Sequence, residues 1–190
     1  MSPYEVLEGA LRKLLVDKGV LTDTEIARQI DLMDSRSPAL GAKVIARAWS
    51  DPAFKARLMA DCRAALKELD IDIGHVAEFK VVENTAAVHN VVVCTLCSCY
   101  PKMLLGIPPA WYKSLAYRSR TVIDPRGVLA EFGVTLPKSQ EVRVHDSTAD
   151  LRYIVLPRRP EGTEGWSEAD LANIVTRDSM IGTAVPKSAG

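Results

Sequence analysis

The chain has 190 residues, and its 24 Lys+Arg balance 24 Asp+Glu to a formal net charge of zero. Without a net positive field there is no general electrostatic pull toward nucleic-acid phosphates or anionic lipid. A hydrophobic share of 47% beside 25% charged residues argues against a disordered chain and suits a globular protein with a real core.

The first residues, Met1-Ser-Pro-Tyr-Glu-Val-Leu-Glu, carry no basic segment followed by a continuous apolar run, the pattern of a secretory signal. The densest apolar run, Val91 to Cys97, falls far short of the roughly 20 residues that cross a bilayer. These features predict a soluble, cytoplasmic protein with neither a membrane nor a nucleic acid as partner.

Residues 3–18 repeat Leu7, Leu11, Leu14 and Leu15 on one helical face and stop at Gly19. Thr22 with Glu25 forms a capping box for a second helix striped by Ile26, Ile30 and Met33. Ser37-Pro38 and Asp51-Pro52 open two more helices, each with an N-cap residue ahead of proline. The fourth is expected to run on through Phe54, Leu58, Cys62, Leu66 and Leu69, which places Cys62 on a buried, inert stripe.

Near residue 70 the period changes to alternation. Residues 76–82 set Ala77, Phe79 and Val81 against Glu78 and Lys80, a strand pattern. His89 to Cys94 is a β-branched run read as a buried strand. A helix follows from Asp124-Pro125 to Phe132 and Gly133, then strands at 142–144 and 151–156, then a helix opened by Ser167 with Asp170. The expected class is α+β: a helical N-terminal segment, residues 1–73, and an α/β domain, residues 74–190.

Four cysteines are too few for a disulfide scaffold, but Cys94, Cys97 and Cys99 fall within six residues, after a strand and before Pro101. Three sulfurs do not complete a closed zinc site, and His75, His89 and His145 all lie outside the loop. A [4Fe–4S] cluster needs a fourth cysteine, for which Cys62 is poorly placed. The Cys97-Ser98-Cys99 tripeptide has another capability. A metal acidic enough to displace amide protons would bind the backbone nitrogens of Ser98 and Cys99. With the sulfurs of Cys97 and Cys99 they close five- and six-membered chelate rings in a plane. Cys94 then supplies an axial thiolate, and the position opposite stays open. Such a field favours trivalent iron or cobalt over tetrahedral zinc. The three thiols taken alone leave zinc, copper or a redox role open, including a metal-storage or redox-sensing module that is not an enzyme.

The string Val93-Cys-Thr-Leu-Cys-Ser-Cys-Tyr-Pro101 resembles the metal-binding loop of nitrile hydratase α subunits. Its flanks do as well: Val82-Glu-Asn-Thr, Val88-His-Asn-Val-Val-Val, Leu105-Gly-Ile-Pro-Pro-Ala-Trp-Tyr-Lys-Ser, Tyr117-Arg-Ser-Arg, Pro125-Arg-Gly-Val-Leu, Arg152-Tyr-Ile-Val-Leu-Pro and Gly162-Thr-Glu-Gly-Trp-Ser. The resemblance is strong over residues 82–186 and implies the fold of that subunit. It implies hydration of a nitrile to its amide at one Co(III) per chain, with Fe(III) as the alternative. The metal ligands would be Cys94, Cys97, Ser98 and Cys99, with Cys97 as a sulfinate and Cys99 as a sulfenate. Thr95 is the residue usual in cobalt-type members.

The same resemblance implies a β-type subunit, in one chain or two, whose arginines face the oxidised sulfurs, and a metallochaperone or activator. Arg118, Arg120 and Arg126 are internal candidates for that duty, though surface or interface roles are expected. Water and the Cys99 sulfenate are both candidate attacking oxygens, and Cys99 is the candidate catalytic residue that the resemblance implies. The chain departs from the family pattern at Lys102-Met103, where Tyr-Pro-Trp is usual. It departs again at Ile71 to Phe79, where a glutamine-bearing segment is usual and His75 stands instead. Related alternatives are the γ subunit of thiocyanate hydrolase, disfavoured here by the lack of a long N-terminal extension, and a three-subunit hydratase acting on toyocamycin.

Overall fold

The computed structural model describes residues 2–75 and 77–187. The chain divides into two compact units, Met1–Ser35 and Arg36–Gly190. The first holds helices α1 (Pro3–Asp17) and α2 (Asp23–Asp34). Each starts with a complete capping box, Ser2 with Glu5 and Thr22 with Glu25, satisfying two otherwise orphaned N–H groups apiece. Arg12 on α1 pairs with Asp23 on α2 at 2.7 Å. Neither helix buries a residue. The leucine stripe of α1 is left largely open, with Leu7 65%, Leu11 53% and Leu14 49% exposed.

The second unit begins with α3 (Pro38–Ser50), α4 (Pro52–Ala60) and α5 (Cys62–Lys67), followed by strands β1 (Glu78–Glu83) and β2 (Val88–Val93). Next come α6 (Lys102–Leu105), α7 (Ala110–Lys113), α8 (Leu115–Ile123) and α9 (Pro125–Glu131). Strands β3 (Glu141–Asp146) and β4 (Leu151–Leu156) precede α10 (Glu168–Asn173) and α11 (Arg177–Ile181). The expected single helix through Cys62 is two. Asp61 takes an extended conformation (φ −145°, ψ 94°), ending α4, and its carboxylate accepts from the Ala64 N–H to start α5. The four-residue apolar spacing continues across this break, so periodicity could not reveal it.

Strand β1 pairs in parallel with β4, and β2 in parallel with β3, as two separate two-stranded sheets. Parallel neighbours need crossovers and are covered on both faces, which accounts for the continuous apolar run of β2. One main apolar core joins Val44, Ile45, Phe54, Leu58 and Leu66 of the helices to Phe79, Val92, Val93, Ile154 and Val155 of the strands and Met180 and Ile181 of α11. Full burial of a side chain such as Leu58 or Leu66 stabilises the fold by roughly 1.5–3 kcal/mol. The change of sequence period near residue 73 therefore falls inside this unit, whose core the helices and strands share. Among the described residues no helix is long and apolar enough to cross a membrane.

Gly182 fixes the way α11 meets β2. Its φ is +89°, and a Cβ there would overlap the Asn90 carbonyl. The close approach lets His89 Nε2–H donate to the Gly182 carbonyl at 2.7 Å. Asn84 Nδ2 donates to the other ring nitrogen, and burial holds the His89 pKa below its ordinary value, so the ring is a neutral brace.

Candidate metal centre

The parallel pairing of β2 and β3 ends with Val93 opposite Asp146. The chain leaves β2 at that point and enters an irregular loop, Cys94 to Tyr100. The loop gathers three thiols. Cys94 Sγ lies 3.4 Å from Cys97 Sγ, and Cys97 Sγ lies 3.1 Å from Cys99 Sγ. All three sulfurs fall within 4.8 Å of one another, an arrangement able to hold a metal ion. None forms a disulfide; Cys94 is buried, Cys99 half-buried and Cys97 exposed.

The main chain is folded toward the sulfurs as well. The Cys97 N–H donates to Cys94 Sγ at 3.3 Å, and the N–H groups of Ser98 and Cys99 act on the Cys97 sulfur. Donation from the Cys99 and Cys94 thiols, aided by these amides, draws the Cys97 pKa down to about 7. Burial, and then donation to Cys97, pushes Cys99 up to about 12. A loop that packs sulfurs and amides this closely has the donor set that a planar nitrogen–sulfur chelate requires.

Three side chains from elsewhere hold the loop in shape, and a fourth holds the end of β2 that leads into it. Asp146, at the end of β3, accepts from the Thr95 N–H (2.9 Å) and hydroxyl (2.5 Å). Arg118 on α8 donates to three successive carbonyls: Cys94 (3.1 Å), Thr95 (2.9 Å) and Leu96 (2.7 Å). Tyr112 on α7, fully buried, donates its hydroxyl to the Cys99 carbonyl at 2.8 Å. Tyr117 donates to the Val92 carbonyl at 2.7 Å. Tyr112 and Tyr117 are themselves wedged by edge contacts with Tyr100, Trp111 and Phe132. Trp111-Tyr112 thus forms part of the packed base of the loop.

A cavity of about 420 Å³ opens beside the loop, lined by Cys97, Ser98, Cys99, Phe79, Met103 and Arg152 among others. Arg152 comes from β4, opposite Phe79, and its positive charge is felt at Cys99. Its Nη1 is buried with no hydrogen-bond partner among the described residues.

The structure brings Cys94, Cys97, Ser98 and Cys99 into one loop and leaves Cys62 outside it. Cys62 is 4% exposed in the core, and burial raises its thiol pKa to about 12. Arg120 pairs with Glu131 at 2.5 Å, and Arg126 reaches the carbonyls of Leu136, Pro137 and Gln140. Of the three arginines weighed from sequence, only Arg118 therefore serves the loop, through its backbone. His75 is exposed, while His145 Nε2–H donates to Asn90 Oδ1 (2.8 Å). Sequence reasoning missed Asp146 and Arg152. The signal for Arg152 was present, since a cation inside the apolar run Leu151 to Leu156 demands a reason.

The family model described as "Nitrile hydratase, alpha chain" matches residues 2–184. The α subunit of the low-molecular-weight cobalt-containing nitrile hydratase of Rhodococcus rhodochrous is 53% identical over 178 residues, covering 93% of this chain and 86% of that one. A mutant of the Fe-type nitrile hydratase from Comamonas testosteroni Ni1 superposes with a TM-score of 0.91 at 44% identity, over 97% of this chain and 91% of that one. A thiocyanate hydrolase mutant superposes at 0.94 with 42% identity, over 98% and 91%. Matched in sequence along almost its full length and in fold over nearly the whole chain, this chain belongs to the nitrile hydratase α-chain family.

Proposed function

We propose that this chain is the metal-bearing subunit of a cobalt nitrile hydratase, which adds water to a nitrile to give the amide. The observation that carries the reading is the loop itself: three sulfurs within 4.8 Å of one another, with the Cys97 N–H donating to Cys94 Sγ. Cys94, Cys97, Ser98 and Cys99 are the ligands. Their donor set fits a trivalent ion, and the cobalt-containing relative at 53% identity, with Thr95 in the loop, favours cobalt over iron. The bound ion supplies Lewis acidity, which makes the carbon of a nitrile electrophilic.

The protein's own part is mostly positioning. Arg118 and Asp146 fix the loop from two sides, and Tyr112 anchors the Cys99 carbonyl, so the residues that would hold the ion are positioned before substrate arrives. Phe79, Met103 and Pro108 give the cavity an apolar wall that keeps water from crowding the reacting carbon. Cys99 stands at that wall as the catalytic residue, oxidised to sulfenate, beside Cys97 as sulfinate.

A β-type partner completes the site. Supporting this are the exposed apolar side chains next to the loop, Leu96 at 88% and Leu115 at 76%, and the uncovered stripe of α1. The partner's arginines would neutralise the oxidised sulfurs, and an activator protein would load the ion. The test is peptide mass spectrometry with metal analysis on the complex produced with cobalt. About one cobalt per chain is expected, with two added oxygens on Cys97 and one on Cys99. Zinc with three unmodified thiols would overturn the reading.

A further inference from the structure

Strand β1 has an open backbone edge. Its pairing with β4 begins with the Glu78 N–H donating to the Asp150 carbonyl and closes with the Asn84 N–H donating to the Leu156 carbonyl. Backbone groups alternate in direction along a strand, so Glu78, Lys80 and Val82 face β4 while Phe79, Val81 and Glu83 face away. Side chains close the two ends of that outer edge. Arg63 donates to the Ala77 carbonyl at 2.7 Å, and Asn90 Nδ2 donates to the Glu83 carbonyl at 2.7 Å. Between them the N–H and C=O groups of Phe79 and Val81 have no partner among the described residues. The second edges of β2 and β4 are covered: Tyr117 donates to the Val92 carbonyl, and Ser147 Oγ accepts the Tyr153 N–H.

The open stretch borders a cavity of about 530 Å³ whose opposite wall is Met59 and Ala60, at the end of α4, with Asp61 and Arg63. Donors and acceptors alternating at this repeat match an extended polypeptide, which offers the complementary groups at the same spacing. Charge excludes a second copy of this chain as that polypeptide. The antiparallel self-pairing that uses every open group sets Phe79 against Val81 of the copy, and Lys80 against its own equivalent. That central pair is the close, non-hydrogen-bonded kind, about 4.5 Å between Cα atoms, where like charges oppose pairing. A lysine in the middle of an edge strand is a guard against self-association. A different strand meets this edge well with a carboxylate opposite Lys80 and a basic residue opposite Glu78. It needs apolar residues opposite Phe79 and Val81, whose own side chains are buried.

We propose that the outer edge of β1 docks an extended segment of another protein by strand addition, antiparallel to β1, with a carboxylate on Lys80 and a cation on Glu78. Phe79 lines both this groove and the cavity beside the cysteine loop, so the docked strand adjoins the wall of the metal site. The inference goes beyond the hydratase reading and holds whichever metal the loop carries.

The test titrates the full, isotopically labelled chain with the peptide acetyl-Thr-Val-Glu-Val-Lys-amide and follows backbone amides by NMR. This peptide sets its Glu opposite Lys80 and its Lys opposite Glu78. The Phe79 and Val81 amide protons should shift downfield saturably and exchange with solvent about tenfold more slowly at saturation. The charge-exchanged peptide acetyl-Thr-Val-Lys-Val-Glu-amide should bind about fivefold more weakly. The double variant Glu78→Lys with Lys80→Glu should reverse that preference and keep the wild-type Tm, since both side chains are exposed. N-methylation of the two peptide valines removes the donors to the Phe79 and Val81 carbonyls and should abolish binding, whereas purely apolar docking would survive it. Undiminished binding of the N-methylated peptide, equal affinity for the two charge orders, or no shift at Phe79 and Val81 at about 5 mM peptide would each overturn the proposal. Sedimentation showing that the wild-type chain pairs with itself through these same amides would also overturn it, by making a second copy the occupant.

Discussion

Cys94→Ala should leave the purified complex without cobalt, whereas Cys62→Ala should hold its full complement. Cys94 is the buried thiol of the loop, 3.4 Å from Cys97 Sγ and accepting the Cys97 N–H. Without it the donor set loses the sulfur that reaches in from the end of β2, and the remaining two thiols lie on the outer, more exposed part of the loop. Zinc- or cobalt-type sites do not survive the loss of a core ligand from so small a set. Cys62 occupies the apolar core with its thiol proton held up to about pH 12 by burial, so it offers no thiolate. Its truncation removes one buried sulfur and should cost about 1 kcal/mol, seen as a fall of a few degrees in Tm. Metal content by elemental analysis, together with a thermal melt, separates the two. Equal metal loss in both variants would contradict the ligand assignment.

Arg118→Met should loosen the loop while leaving the apolar stem of the side chain in place. The guanidinium binds three consecutive carbonyls, and the one on Cys94 is not freely reached by water. Loss of these bonds is expected to destabilise the fold by about 1–3 kcal/mol. Because the carbonyls belong to the ligand-bearing loop, cobalt affinity should drop roughly 10–100-fold. Arg120→Met is the matched control: two residues along the same helix, it pairs only with Glu131 on the surface and should leave metal content untouched. A competitive chelator titration reads the affinities; parity between the variants would show that the carbonyl clamp is dispensable.

Much of the architecture was legible in the residues themselves. The capping box Thr22–Glu25 and the N-cap pair Asp51-Pro52 marked helix starts that the structure reproduces, because these signals are local. Strand β4 matches its expected span, 151–156, since its β-branched run has no competing period. The short helices α6, α7 and α11 escaped notice because four or five residues carry too little periodicity. Ser37 adopts the N-cap conformation but makes no side-chain cap bond, so the sequence signal there rested on proline alone. For the site, the Cys-x-x-Cys-x-Cys string placed the thiols together without help. How its supports engage it depends on tertiary placement: Asp146 reaches the loop through the parallel register of β2 with β3, and Arg118 through the position of α8. Pairing between strands some fifty residues apart leaves no local mark.

The apolar stripe of α1 offers the complementary lesson. Its helical period was read correctly, and the stripe that the period marks is exposed. Periodicity shows that a face is apolar; it does not show which molecule covers it.

Cobalt K-edge X-ray absorption on the mature complex interrogates the coordination directly. The account predicts a low-spin trivalent ion with three sulfur and two nitrogen neighbours drawn from Cys94, Cys97, Ser98 and Cys99, and a light sixth ligand completing an octahedron. A four-coordinate tetrahedral ion, with sulfur ligands and no main-chain nitrogen, would contradict it.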